Sequence, residues 1–215
     1  NTSLSLKEFQ QELDAGAVVV DLRDQSAFGG AHVPNSFGIG ANGNVSGWAS
    51  WVVPYDTPIV LICEAHEQEF AIRSLIRVGL DDIRGRLDGG FTAWREAGLA
   101  VQSFPQWTPR EGHHRLDEGT ISIVDVRSAD EYRAGHAPGA RWCYLGDLEN
   151  AAKRGEFGSE VGVICRTGYR STVAASVLER NGVPSVFNLT GGMRAWGNAG
   201  LPVVSETGEE PPSAF

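Results

Sequence analysis

The sequence has little cysteine, a single methionine and a shortage of positive charge. Three cysteines in 215 residues, none spaced as Cys-x-x-Cys, supply neither a disulfide framework nor a zinc site. Such usage suits a reducing compartment, and the cytosol is the expected location. Lys and Arg number 18 against 27 Asp and Glu, a net charge of −9 that argues against nucleic acid or an anionic membrane as partner. No apolar run approaches the length of a membrane span. His113 and His114 lack partner ligands at metal spacing, so neither a metal nor a cofactor is expected. No signal peptide is visible, but the chain begins at Asn1 rather than methionine, which leaves open an origin in a longer polypeptide.

What is present is a repeat. Val18-Val19-Val20-Asp21-Leu22-Arg23 returns as Ser122-Ile123-Val124-Asp125-Val126-Arg127, and Ala31-His32-Val33-Pro34 as Gly135-His136-Ala137-Pro138 (125 − 21 = 136 − 32 = 104). Val60-Leu61-Ile62-Cys63 returns at Val163-Ile164-Cys165, and Gly89-Gly90-Phe91-Thr92-Ala93-Trp94 at Gly191-Gly192-Met193-Arg194-Ala195-Trp196 (165 − 63 = 196 − 94 = 102). Two copies of one domain follow each other, at 1–104 and 113–205. Residues 105–112, with Pro105 and Pro109, read as a linker, and 206–215 as a disordered tail.

Within each copy strand and helix signals alternate. In the first, residues 4–13 are apolar at helical spacing, a strand runs through Val20, a loop follows, and Ile59–Ile62 is a buried strand. Phe70–Val78 is helical with Gly79 as its cap, and a short helix closes the copy around Trp94. The pattern predicts an α/β fold with a largely parallel sheet in each copy. The second copy's opening helix is expected to be shortened or missing.

The chemistry concentrates at Cys165-Arg166-Thr167-Gly168-Tyr169-Arg170-Ser171. The strand through Val161, Val163 and Ile164 ends on the cysteine, and a helix is expected from Thr172 with Ser171 as N-cap. A thiol there faces loop amides and the positive end of a helix dipole, both of which favour the nucleophilic thiolate. Gly168 permits the positive φ that curls amides inward. A cysteine at a strand end can also be an inert, buried small hydrophobe; the glycine and two arginines favour the reactive reading. In the first copy the loop is Cys63-Glu64-Ala65-His66-Glu67-Gln68-Glu69. Its carboxylates raise a thiol pKa and repel anionic donors, so this copy is expected to be catalytically silent.

These motifs resemble rhodanese domains, and the whole chain resembles a tandem rhodanese. Gly47-Trp48-Ala49-Ser50-Trp51 and the 81–88 segment also resemble the rhodanese region that follows the metallo-β-lactamase-fold domain of bacterial persulfide dioxygenase fusions. The resemblance implies a sulfurtransferase in which Cys165 carries sulfur as a persulfide. Thiosulfate or a glutathione persulfide would be the donor, and a thiol or cyanide the acceptor. Arg166 and Arg170 would bind the anionic donor, with Thr167, Gly168 and Ser171 forming the rest of the substrate loop and Tyr169 either lining its pocket or standing half in solvent. Asp125, Arg127 and His136 are expected to anchor structure around the site. An upstream metallo-β-lactamase-fold domain is the expected partner beyond small molecules. The resemblance also leaves two alternatives. One is a non-enzymatic docking module, credible for residues 1–104. The other is a phosphatase of the same fold, which places an arginine six positions after the cysteine, where this chain has Ser171.

Overall fold

A computed structural model describes residues 2–206. The chain divides into two compact units, residues 1–103 and 104–215, each built on a five-stranded, all-parallel sheet with helices against it.

The first unit contains β1 (Ser3–Leu4), α1 (Leu6–Asp14), β2 (Val18–Asp21), α2 (Gln25–Gly30), β3 (Phe37–Gly38), α3 (Val45–Val52), β4 (Ile59–Ile62), α4 (Gln68–Ile76), β5 (Ile83–Leu87) and α5 (Gly90–Glu96), in the sheet order β1-β5-β4-β2-β3. β4 is the central strand, and its four apolar residues are all buried, as a strand covered on both faces requires. Helix α1 begins at Ser5 through a capping box with Glu8, and Phe9 meets Trp94 edge to face at 6.1 Å. The stretch between β2 and β4 is more than the expected loop, since it holds α2, β3 and α3.

The second unit repeats the plan. It contains β6 (Gln106–Trp107), α6 (Pro109–Asp117), β7 (Ser122–Asp125), α7 (Ala129–Ala134), β8 (Arg141–Trp142), a 3-10 turn at Leu145–Asp147, α8 (Leu148–Lys153), β9 (Glu160–Ile164), α9 (Tyr169–Arg180), β10 (Ser185–Leu189) and α10 (Gly192–Asn198), ordered β6-β10-β9-β7-β8.

Two expectations are corrected here. The opening helix is present as α6, capped by Thr108 with Pro109 in its first turn. Residues 105–112 are therefore not a linker: they carry β6, paired in parallel with β10, and the first half of α6. The prolines that suggested a linker mark a helix start. Gly112 sits mid-helix because a Cβ there would lie 2.7 Å from the Leu189 side chain. Of the tail expected at 206–215, only Glu206 lies among the described residues; its amide donates to the Arg133 carbonyl.

Candidate active site

Strand β9 lies between β10 and β7 with its last four residues buried, so its carboxyl end opens at the middle of the sheet edge. In open parallel sheets ligands bind at that edge. Cys165 follows immediately. The chain passes Arg166 and Thr167, both exposed, turns at Gly168 with φ +104°, and enters α9 at Tyr169. Gly168 rather than Ser171 is the N-cap, so the helix begins earlier than expected and Ser171 lies in its first turn.

The sulfur is held from two sides. The Gly168 amide donates to Cys165 Sγ at 3.1 Å, and the Ser171 hydroxyl oxygen lies 3.5 Å from it as acceptor of the thiol. Ser171 in turn donates to the Gly168 carbonyl at 3.0 Å, which Thr172 Oγ1 also reaches at 2.9 Å. Cys165 is only 1% exposed, less open than a sulfur nucleophile is expected to be.

The Gly191-Gly192 turn clamps the back of the loop. Met193 N–H donates to the Cys165 carbonyl at 2.8 Å and Arg194 N–H to the Arg166 carbonyl at 3.1 Å. Contact is so close that a Cβ on Gly192 would stand 2.4 Å from the Cys165 oxygen. Glycine is also suited to the positive φ of +56° at this position.

Arg170, expected at the donor, has both arms on a carboxylate. Its Nη1 and Nη2 donate to the two oxygens of Glu131 at 2.6 and 2.7 Å. Glu131 also closes the capping box of α7, accepting from the amide and hydroxyl of Ser128. Burial alone would raise the Glu131 pKa, but the hydrogen bonds and charge of Arg170, helped by Ser128, hold it down at about 2. Burial likewise works against the charge of Arg170, which Glu131 and a Cys165 thiolate more than offset, so its pKa is raised. Glu131 is the site residue that sequence reasoning missed. The Ser128-x-x-Glu131 spacing announces a cap, but nothing local points to a partner 39 positions away. Tyr169 is half-buried beside the loop, and burial pushes its phenol up.

The other residues singled out in the sequence make internal contacts. Asp125 and Arg127 form a buried pair, with Arg127 Nη2 2.7 Å from Asp125 Oδ2 and 2.7 Å from the Gly135 carbonyl. Asp21 and Arg23 repeat it in the first unit, with the Ala31 carbonyl as third partner. His136 stacks on Tyr132 at 3.7 Å, and its Nδ1 hydrogen-bonds the Tyr132 carbonyl. His32 does the same with Phe28. Both histidines anchor turns. Trp196 is fully buried, its indole N–H on the Pro202 carbonyl.

The first unit's loop is differently built. Its Glu64 amide goes to the Glu67 carboxylate at 3.0 Å. Burial first, and then Glu67, Asp21 and Glu64 against the opposing charge of Arg86, push the Cys63 thiol up to about 12. Cys143 is also buried and raised, chiefly by burial. No cluster of His, Cys, Asp or Glu suited to a metal occurs among the described residues. Nor is any helix there long and apolar enough to cross a membrane.

Fold and site together define a parallel α/β protein with a thiol seated in a strand-to-helix loop of one of its two repeated units. The Rhodanese-like domain profile matches residues 5–97 and 108–199, and the chain belongs to that family. It is 36% identical over 97 residues to a Bacillus subtilis (strain 168) protein named as a candidate sulfur carrier, YrkF, covering 45% of this chain and 52% of that protein. The chain thus spans about half the length of that relative. Over 81 residues it is 32% identical to the thiosulfate sulfurtransferase GlpE of Pseudoalteromonas translucida (strain TAC 125), covering 38% of this chain and 77% of that protein. Among solved structures, the solution structure of the rhodanese-like domain of Anabaena sp. Alr3790 aligns with a TM-score of 0.45 at 27% identity, covering 52% of this chain and 87% of that one.

Proposed function

We propose that the second domain is a sulfurtransferase working through Cys165. The Cys165 thiolate attacks the sulfane sulfur of thiosulfate or of a thiol persulfide. The donor's S–S bond breaks, and sulfite or the donor thiolate leaves with the bonding pair. An acceptor thiolate or cyanide then attacks the terminal sulfur of the Cys165 persulfide, giving a new persulfide or thiocyanate and releasing the thiolate. No external oxidant or reductant is consumed.

The observation that carries this reading is the 3.1 Å bond from the Gly168 amide to Cys165 Sγ. A fixed N–H aimed at the sulfur stabilises charge there without reorganisation. Ser171 supplies a second donor once the thiol ionises. Its hydroxyl can turn from the Gly168 carbonyl to the sulfur, because the Thr172 amide and hydroxyl keep that carbonyl satisfied. The anion of the donor falls to Arg166, which is exposed, while Arg170 braces the loop through Glu131. The phosphatase alternative finds little support, since Ser171 stands six positions after the cysteine.

Residues 1–104 fit a silent docking module, a reading favoured by the thiol pKa near 12 at Cys63. An upstream metallo-β-lactamase-fold domain and a cytosolic setting belong to this proposal, supported by the sequence resemblance and the cysteine usage. The test is thiosulfate:cyanide turnover by Cys165→Ser and Cys63→Ser. Turnover should vanish in the first and persist in the second; the reverse result would sink the assignment.

A further inference from the structure

Over the cysteine loop of the first domain lies a cavity of about 420 Å³, in the size range of small-molecule sites. Its wall includes Arg23, Ser26, Glu64, Gly90, Thr92 and Arg95, which places it at the carboxyl ends of β2, β4 and β5. The second domain shows what differs. Ala27 lies 104 positions before Glu131, so the carboxylate that grips Arg170 has no counterpart here. Glu64 and Thr92 stand 102 positions before Arg166 and Arg194. The bonds that tie Cys165 and Arg166 to Met193 and Arg194 have no equivalent between Cys63–Glu64 and Phe91–Thr92 among the described residues. Accordingly a Cβ on Gly90 would meet nothing within 4 Å, where one on Gly192 would strike the Cys165 carbonyl. The Arg23 side chain is 19% exposed, against 2% for Arg127. Loop and helix have parted, and the gap is the cavity.

Its chemistry is not that of a sulfur nucleophile. Cys63 is 2% exposed and lies outside the cavity wall. Arg23 has its charge met by Asp21. Neither Arg95 on α5 nor Glu64 after β4 has an ion-pair partner among the described residues. One solvent-exposed charge of each sign, without an ion-pair partner among the described residues, therefore lines the space, together with Ser26 and Thr92. We propose that the first domain binds a small zwitterion of amino-acid type, up to a short peptide in size, with its carboxylate at Arg95 and its ammonium at Glu64. This holds whether or not Cys165 transfers sulfur.

Titration of the ¹⁵N-labelled chain with triglycine tests it, alongside N-acetyl-triglycine and triglycine amide. Triglycine should shift the amides of Gly89 to Thr92 saturably, with affinity of roughly millimolar order. Capping either end should weaken binding by about tenfold, the loss of one charge-assisted contact. Arg95→Ala should weaken triglycine by a similar factor and barely affect the amide. Glu64→Gln should do so for triglycine and barely affect the acetylated form. Both positions are exposed, and unchanged spectra elsewhere would verify folding. Absence of saturation at tens of millimolar, equal shifts from the capped peptides, or undiminished binding by both variants would overturn the proposal.

Discussion

Arg170 holds Glu131 through two parallel hydrogen bonds of 2.6 and 2.7 Å, joining the first turn of α9 to the first turn of α7 across 39 residues. The pair fixes the helix that begins where the cysteine loop ends. Glu131→Gln keeps the shape and loses the charge. Hydrogen bonds to charged groups contribute about 1.5–3 kcal/mol, so thiosulfate turnover should fall roughly 10- to 150-fold in kcat/KM, mainly in kcat. The same pair has a pH signature. The Glu131 pKa is about 2, below the ordinary 4.5. A depressed carboxylate contributes stability that is fully present above its unfolded pKa and is lost as pH falls through the folded one. The contribution is at most about 3 kcal/mol and is reduced by partial exposure. Denaturant melts of wild type and Glu131→Gln should therefore converge between pH 4.5 and about 2.

Cys63 should resist alkylation. Its thiol, pushed up to about 12 and 2% exposed, offers almost no thiolate at pH 8. Mass spectrometry after iodoacetamide treatment of the folded chain should find Cys63 unmodified until strongly alkaline pH. Prompt labelling at neutral pH would show that the acidic loop does not silence it.

Gly192 and Gly90 occupy matching positions with nearly the same φ, +56° and +57°, yet their surroundings differ. Alanine at either position costs about 1 kcal/mol or more for the left-handed backbone. Only at 192 does the new Cβ also meet a carbonyl oxygen at 2.4 Å. Gly192→Ala should destabilise the second domain by a further 2 kcal/mol or so and abolish turnover, while Gly90→Ala should leave turnover intact. Hydrogen exchange resolved by domain, with the sulfur-transfer assay, separates the two effects.

Much of this architecture could be read from the sequence because it rests on local signals. β9 shows as a β-branched run, Gly168 as a glycine where φ must be positive, and the repeat as fixed offsets between motifs. The misses have physical causes. Helix α6 is polar over most of its length, with Leu116 and the close-packed Gly112 on its inner side, so hydrophobic spacing could not reveal it. The short strands β1, β3, β6 and β8 contain two residues each and are defined by pairing with distant partners. The pairing of Arg170 with Glu131 could not be read from the sequence, because that partner is brought near only by the fold.

In the proposed sulfurtransferase, the Glu131 pairing of Arg170 leaves Arg166 as the cation for the donor. Its main chain is pinned by the 3.1 Å bond from the Arg194 amide, while its side chain is exposed beside the loop. A guanidinium so placed meets an anion without having to leave a carboxylate first. Arg166→Ala should raise the KM for thiosulfate by about tenfold and change kcat by less than about twofold, the pattern of a lost ground-state contact. Because the charge faces water, the defect should shrink as ionic strength rises and screening weakens the wild-type attraction. Arg170→Lys should behave oppositely: one positive charge is kept, the two-armed grip on Glu131 is lost, and kcat falls while KM moves little. Steady-state kinetics of both variants at low and high salt decide the matter. If Arg170→Lys alters KM alone and Arg166→Ala alters nothing, the donor anion is bound at Arg170, and the Glu131 pair must open during each turnover.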